Sequence, residues 1–332
     1  ESTILLCFLT AMVEARNAKG SGWWVGPHLT DSVAPSGRQA AHNAIASLDG
    51  VRVQGGEYRV LFGPQAVMDL LVNLVVPSLR LDTFYAAASC FQGKLGKPVA
   101  SPLLTIYDHG ALPGYGGSKG ITCEGLPTGR TDLVREGTLV GLLSNSYRYL
   151  QVLRAPRAAQ EKLGADPAHW KEGLAPRNGF RFARGGGRHF DIPPGIFGTN
   201  ILLEGKEGLS HQDLLRRVRD GLYIGRIWYT YPINGLARGD LSSTVVGDSF
   251  LIQDGRLGPP LKPNTLRLND NIHRILNGVI GVGAQARGTI VWAADEIIYT
   301  PELAVAQVQV EEIAGGRGRL ALAGEDDGGL GP

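Results

Sequence analysis

Apolar residues along the chain follow two rhythms, and in residues 64–79, PQAVMDLLVNLVVPSL, nearly every side chain is apolar. Val67, Leu70, Leu71, Leu74 and Val75 recur at helical spacing, and Pro64 suits a first turn, where its missing N–H costs nothing. Met68, Val72 and Val76 fill much of the remaining circumference, so only Gln65, Asp69, Asn73 and Ser78 are polar. A helix apolar almost all round has to be enclosed by protein, and about four turns are too short to cross a bilayer. The run is therefore predicted to be a buried core helix.

Elsewhere the strand rhythm prevails. STILLCFLTAMVEA and SGWWVG flank RNAKG as strand, turn and strand. APSGRQAAHNAIASLDG reads as a helix with Ala41, Ala44, Ile45 and Leu48 on its inner face, Ser36 as N-cap and Gly50 as the stop. EYRVLF, SPLLTIYD, LYIGRIWYTYPI, GTIVWA and AVAQVQVEEI read as strands. Glu136-Gly137 and Asp254-Gly255 are hairpin turns within RTDLVREGTLVGLL and SFLIQDGRL. LSHQDLLRRVRDG is a helix with Ser210 and Asp213 as a capping pair and Gly221 closing it, and NDNIHRILNG is a last short helix. Strands outnumber helices and many are joined by hairpins, which predicts an α+β fold with mostly antiparallel sheets.

Composition narrows the function classes. The 332 residues are 43% hydrophobic and 19% charged with a formal net charge of +2, so no global charge draws the chain to nucleic acid or anionic lipid. Gly, at 47 residues, is roughly twice its usual share and points to tight turns. Cys7, Cys90 and Cys123 are far apart and odd in number; they show neither a disulfide framework nor a zinc spacing, and suggest a reduced, cytoplasmic setting. ILLCFLTAMV lacks a basic leader and a cleavage site and is too short to span a membrane. The chain starts at Glu1 rather than Met, which reads as a piece of a longer protein.

Candidate chemistry is sparse. RNGFRFARGGGRHFDIPPG interleaves Arg177, Arg181, Arg184 and Arg188 with Phe180, Phe182 and Phe190, as a single-strand nucleic-acid grip does, but a surface loop with its phenylalanines tucked beneath fits a chain that is not otherwise basic. His28, His42, His109, His169, His189, His211 and His273 form no metal-ligand pair. YDHG (107–110) and RHFD (188–191) set His beside or near Asp, yet neighbours in sequence point apart. There is no nucleophile elbow, P-loop or dinucleotide fingerprint. No catalytic residue, metal ligand or cofactor is expected from spacing alone.

The stretch SCFQGKLGKPVASPLLTIYDHGALPGYGGSKGITCEGLPTGRTDLVREGTLVGLLSNSY resembles the central block of the TldD/PmbA family, metalloprotease-related proteins once called modulators of DNA gyrase. TNILLEG, DGLYIGRIWYTYPINGLARGDLSSTVVGDSFLIQDGRL and NDNIHRILNGVIGVG continue the resemblance in family order, and SGWWVG followed by GRQAAHNAIASL extends it upstream. The resemblance implies a PmbA/TldD-like fold in which residues 1–50 end an N-terminal domain, 51–315 form the C-terminal domain and 316–332 are a flexible tail. It also implies a family of two branches that form a heterodimer. TldD-type members carry H-E-x-x-x-H on a helix, with a later cysteine as third zinc ligand.

That helix corresponds to residues 64–79, where Val72, Asn73 and Pro77 stand at the His, Glu and His positions, and RGTIVWAADEIIYTPEL supplies no cysteine. The resemblance is thus to the PmbA (TldE) branch. It implies a non-catalytic subunit without metal or cofactor that partners a zinc-bearing TldD-like chain and helps hold an unfolded peptide. Gly239, Asp240, Ser242 and Ser243 in GLARGDLSSTVVG are the expected substrate-groove residues, since a residue without Cβ beside a carboxylate lets a peptide backbone come close. Two alternatives remain: a stand-alone binder of peptide or nucleic acid, and an enzyme using Asp240 with Ser242 and Ser243.

Overall fold

The computed structural model describes residues 4–16, 18–28, 34–182, 190–289 and 296–313. Strands β1 (Leu5–Val13) and β2 (Ala18–Gly26) pair as an antiparallel ribbon, and the helix Ala34–Ala46 lies on it. A Cβ on Gly20 would stand 2.0 Å from Ala44 N, and one on Gly22 1.9 Å from Ser36 O. Helix backbone therefore rests directly on strand backbone. This contact turns the small residues Ser36, Ala40 and Ala44 inward and leaves Ile45 63% exposed, so the expected Ala41–Ala44–Ile45–Leu48 face is corrected. Ser36 is inside the helix rather than its N-cap, and Asp49, with φ 57°, takes the left-handed turn expected at Gly50.

After β3 (Gly56–Phe62) comes the apolar run, a helix over Pro64–Leu70 that widens into a π turn at Leu71–Val75 and closes with Val76–Ser78. Pro77 explains the widening: it has no N–H to donate to the Asn73 carbonyl and its ring crowds that carbonyl, so the ladder opens one turn earlier. Val67, Leu70, Leu71, Leu74 and Val75 are all buried in the main core, as their spacing predicts.

Two sheets enclose this helix. One contains β4 (Leu104–His109), β5 (Arg130–Arg135) and β6 (Thr138–Leu139) beside β9 (Asn200–Gly205), β15 (Arg287–Thr289) and β16 (Ile297–Thr300); a short ladder of β7 (Gly179–Phe180) with β8 (Gly195–Ile196) lies apart. The other contains β3, β10 (Gly221–Pro232), β11 (Asp240–Gln253), β13 (Leu266–Asn271) and β17 (Leu303–Glu312), with β12 (Arg256–Pro260) and β14 (Val279–Val282) at its margins. Its pairings run β10–β3–β17–β13–β11 and return to β10, so these strands close a ring. Only β10–β3 and β16–β9 pair in parallel among the named strands, and the fold is α+β with mostly antiparallel sheets, as expected.

The hairpin turns fall where read: Glu136 and Gly137 have φ 42° and 77°, Asp254 and Gly255 φ 48° and 70°. Ser210 caps the helix His211–Val218 by accepting the Asp213 N–H at 3.2 Å, but the chain leaves that helix at Arg219 (φ 63°), not at Gly221, which already belongs to β10. Among the described residues no helix is long and apolar enough to cross a membrane. Arg184, Arg188, His189, residues 290–293 of GTIVWA and the expected tail 316–332 lie outside the described residues.

Candidate functional site

The polar exceptions in the apolar helix are not scattered. Gln65, Asp69 and Asn73 are spaced by four, share one face, and line a cleft of about 410 Å³ with Met68 and Val72. Opposite them β10 bends twice, with register breaks between Arg226 and Ile227 and between Trp228 and Tyr231. Tyr229 sits at φ 55°, a costly conformation for a bulky residue, and one that aims it with Trp228 at the cleft mouth. Their rings meet edge to face at 5.8 Å and stay 42% (Trp228) and 74% (Tyr229) exposed. Gln65 holds the bend in place: its Oε1 accepts the Ile227 N–H at 3.1 Å and its Nε2 donates to Ile227 O at 3.3 Å, as a neighbouring strand would. Phe8 of β1, Trp23 of β2 and Thr289 of β15 complete the wall.

Charge inside the cleft is carried by two residues. Asp69 Oδ2 accepts from the Thr230 hydroxyl, while Oδ1 has one long contact, 3.4 Å from Asn73 Nδ2. Burial pushes the Asp69 carboxyl up to about 6, against the pull of Thr230, Asn73 and the Arg226 charge. Arg226 Nη1 donates to Ser21 Oγ and lies 4.0 Å from Asp248 Oδ2. Asp248 is only 7% exposed, and burial pushes it up to about 6 as well, opposed chiefly by Arg226.

Of the expected groove residues, Ser243 reaches the cleft indirectly. Its Oγ is 2.7 Å from Thr230 Oγ1; because that hydroxyl donates to Asp69, Ser243 is the donor to Thr230. Asp240 accepts from Asn271 Nδ2 at 2.9 Å and Asn234 Nδ2 at 3.1 Å, which hold its carboxyl below the usual range. Gly239, φ 74°, ends the turn Leu236–Arg238, and Ser242 is buried in β11. Gly239, Asp240 and Ser242 are not among the cleft's lining residues.

Val72 and Asn73 do line it, and Pro77 is one turn further on. Zinc does not fit this donor set: Val72 and Pro77 offer no ligand atom, and Asn73 offers a neutral amide whose nitrogen is 2.8 Å from Asp69 O. Among the described residues no three of His, Cys, Asp and Glu come together to hold a metal ion.

Asp108 and His109 point apart. Asp108 is enclosed and accepts from Thr199 N (2.7 Å), Thr199 Oγ1 (2.9 Å) and Asn178 Nδ2 (2.8 Å), while His109 Nδ1 accepts the Ala111 N–H at 3.2 Å. In the Arg/Phe stretch Phe180 and Phe182 are buried and stacked, whereas Phe190 is exposed. Arg177 pairs with Glu172, and Arg181 donates to Phe190 O at 2.7 Å, so both are tied to the protein.

The cleft had two signals in the sequence. One is the i, i+4, i+8 polar stripe in an otherwise apolar helix. The other is IWYTY, three aromatics in five strand residues that cannot all face one core.

The family model for the PmbA/TldA metallopeptidase C-terminal domain matches residues 55–312. The chain belongs to the TldD/PmbA family. Among curated relatives, a metalloprotease of Synechocystis is 28% identical over 232 residues, 69% of this chain and 43% of the relative. The metalloprotease TldD homologue of Haemophilus influenzae is 24% identical over 291 residues, 86% of this chain and 50% of the relative. The chain thus spans about half the length of the curated relatives it matches. In fold it is similar to TldE from Thermococcus kodakarensis, with TM-score 0.74 and 17% identity over 93% of this chain and 63% of that one. A protein of Thermotoga maritima titled a putative modulator of a DNA gyrase has TM-score 0.70 and 20% identity over 92% of this chain and 62% of that one.

Proposed function

We propose that this chain is a non-catalytic, TldE/PmbA-like subunit that pairs with a zinc-bearing TldD-like subunit and holds an unfolded peptide while the partner cleaves it. The observation that carries this is the cleft helix. It turns Val72 and Asn73 toward a ligand-sized cleft at the positions where the resemblance puts zinc ligands, and these side chains can contact a peptide but cannot activate water. Trp228, Tyr229, Met68 and Phe8 supply sequence-tolerant apolar contact, and the free face of Asn73 can bond a peptide amide. Gly239, Asp240, Ser242 and Ser243 belong to this reading as substrate-groove residues beyond the cleft, and Ser243 alone of them bonds to a cleft residue, Thr230. In the same reading residues 1–50 end an N-terminal domain, 51–315 form the C-terminal one, and the pair works in the cytoplasm.

Co-expression with a TldD-type relative tests it. The two chains are expected to co-purify and cleave unfolded peptides, and this chain alone to cleave nothing and hold no stoichiometric zinc after dialysis. Cleavage by the isolated chain, or about one tightly held zinc per chain, would overturn the proposal.

A further inference from the structure

The cleft carries an unbalanced charge. Arg226 lines the cleft too, but it donates to Ser21 and its charge is shared between Asp248 and Asp69, so the three ionised groups together leave one negative charge. Asp69 is thus the carboxylate that lines the cleft, offset only in part by Arg226, with Oδ2 engaged by Thr230 and Oδ1 holding one long contact to Asn73. Around it are the apolar and aromatic surfaces of Met68, Val72, Trp228 and Tyr229. An apolar channel with an aromatic lip and a carboxylate at its base is complementary to a long aliphatic stem with a cationic tip.

We infer that the cleft selects peptide segments bearing a basic side chain, lysine or arginine, with its stem along Met68 and Trp228 and its cation at Asp69. The inference deepens the peptide-holding reading and rests on it. A neutral segment would cover Asp69 and strip its remaining water without replacing it, which burial of a carboxylate opposes. An acidic side chain would be repelled by Asp69, and Arg226, shared with Asp248 4.0 Å away, would offset that only in part. Burial already makes Asp69 easier to protonate than an ordinary aspartate, and a bound cation would reverse that shift.

The test uses the whole chain and labelled heptapeptides that differ at one central position, Lys, norleucine or Glu, with binding read by fluorescence anisotropy. The Lys peptide is expected to bind about tenfold tighter than norleucine, the worth of one charge-assisted hydrogen bond, and the Glu peptide weakest. In Asp69→Asn, which keeps the shape of the side chain, the Lys advantage should shrink to within about twofold, with Lys binding weakened and norleucine binding, relieved of the carboxylate's desolvation, no weaker than to the unaltered chain. Trp228→Ala should weaken all three peptides together. Norleucine binding as tightly as Lys, or a Lys preference that survives Asp69→Asn, overturns the inference and leaves the peptide-holding reading standing. Failure of every peptide to bind overturns both.

Discussion

Asp69 and Asp108 are both aspartates that burial pushes up to about 6, and they do opposite things. Asp108, at the end of β4, spends its acceptor capacity inside the protein: three donors from Thr199 and Asn178 close around it and tie β4 to the residues entering β9. Asp69, on the cleft helix, leaves one oxygen with a single long contact beside open space. The same perturbed acidity therefore marks a structural knot in one place and a candidate binding group in the other. What separates them is acceptor capacity left unused and where it points.

The difference can be tested by substitution, the largest effect first. Leu71 is on the buried side of the helix that bears Asp69, and is 2% exposed. Leu71→Asp should cost several kcal/mol, because a carboxylate there would have neither solvent nor a donor, and urea denaturation should show loss of the folded baseline. Retention of the melting temperature would mean that the two faces of the helix are not distinct.

Asp108→Ala should cost about 2–4 kcal/mol in the same assay, since the Thr199 N–H and hydroxyl would be left buried without an acceptor. Asp69→Ala should stay below about 1 kcal/mol, because it removes a partly desolvated charge and orphans only the Thr230 hydroxyl, which still has Ser243. Equal costs would collapse the distinction.

Acidity gives a third handle. The folded carboxyl of Asp69 is raised from 3.8 to about 6, so the native state binds the proton more tightly, and this group favours folding more as pH falls from about 7 toward 4. Asp69→Asn should flatten that part of the stability–pH curve measured by thermal unfolding. A curve that keeps the wild-type slope would place Asp69 in ordinary solvent. Asp108 and Asp248, raised in the same direction, contribute slope of the same sign that the variant leaves in place.

The smallest effect is expected at Asp240. Asp240→Ala should leave the melting temperature nearly unchanged, as its carboxylate is open to solvent and its bonds to Asn271 and Asn234 are part-buried and exposed. In the reconstituted pair it should lower peptide cleavage, if the groove extends from the cleft to the start of β11. Unchanged rates across several peptides would confine the site to the cleft.

Local chemistry was legible in the sequence wherever a few neighbouring residues decide the outcome. Glu136-Gly137 and Asp254-Gly255 dictate tight turns because their backbones tolerate positive φ together, and Ser210 caps a helix because its hydroxyl reaches the Asp213 N–H three residues on. The spacing of Val67, Leu70, Leu71, Leu74 and Val75 required burial, and hairpin-joined strands required mostly antiparallel sheets. Tertiary structure decided whatever depends on a distant surface. Gly20 and Gly22 let the ribbon accept helix backbone, and so turned the Ala34–Ala46 helix onto its smallest side chains and left Ile45 outside. Gln65, Asp69 and Asn73 could be polar within an apolar helix only because β10, some 160 residues later, bulges away from them, and Gln65 supplies the hydrogen bonds that hold the bulge. A periodicity records which face of a helix differs from the rest; whether that face meets core, solvent or a cleft is set by what packs against it.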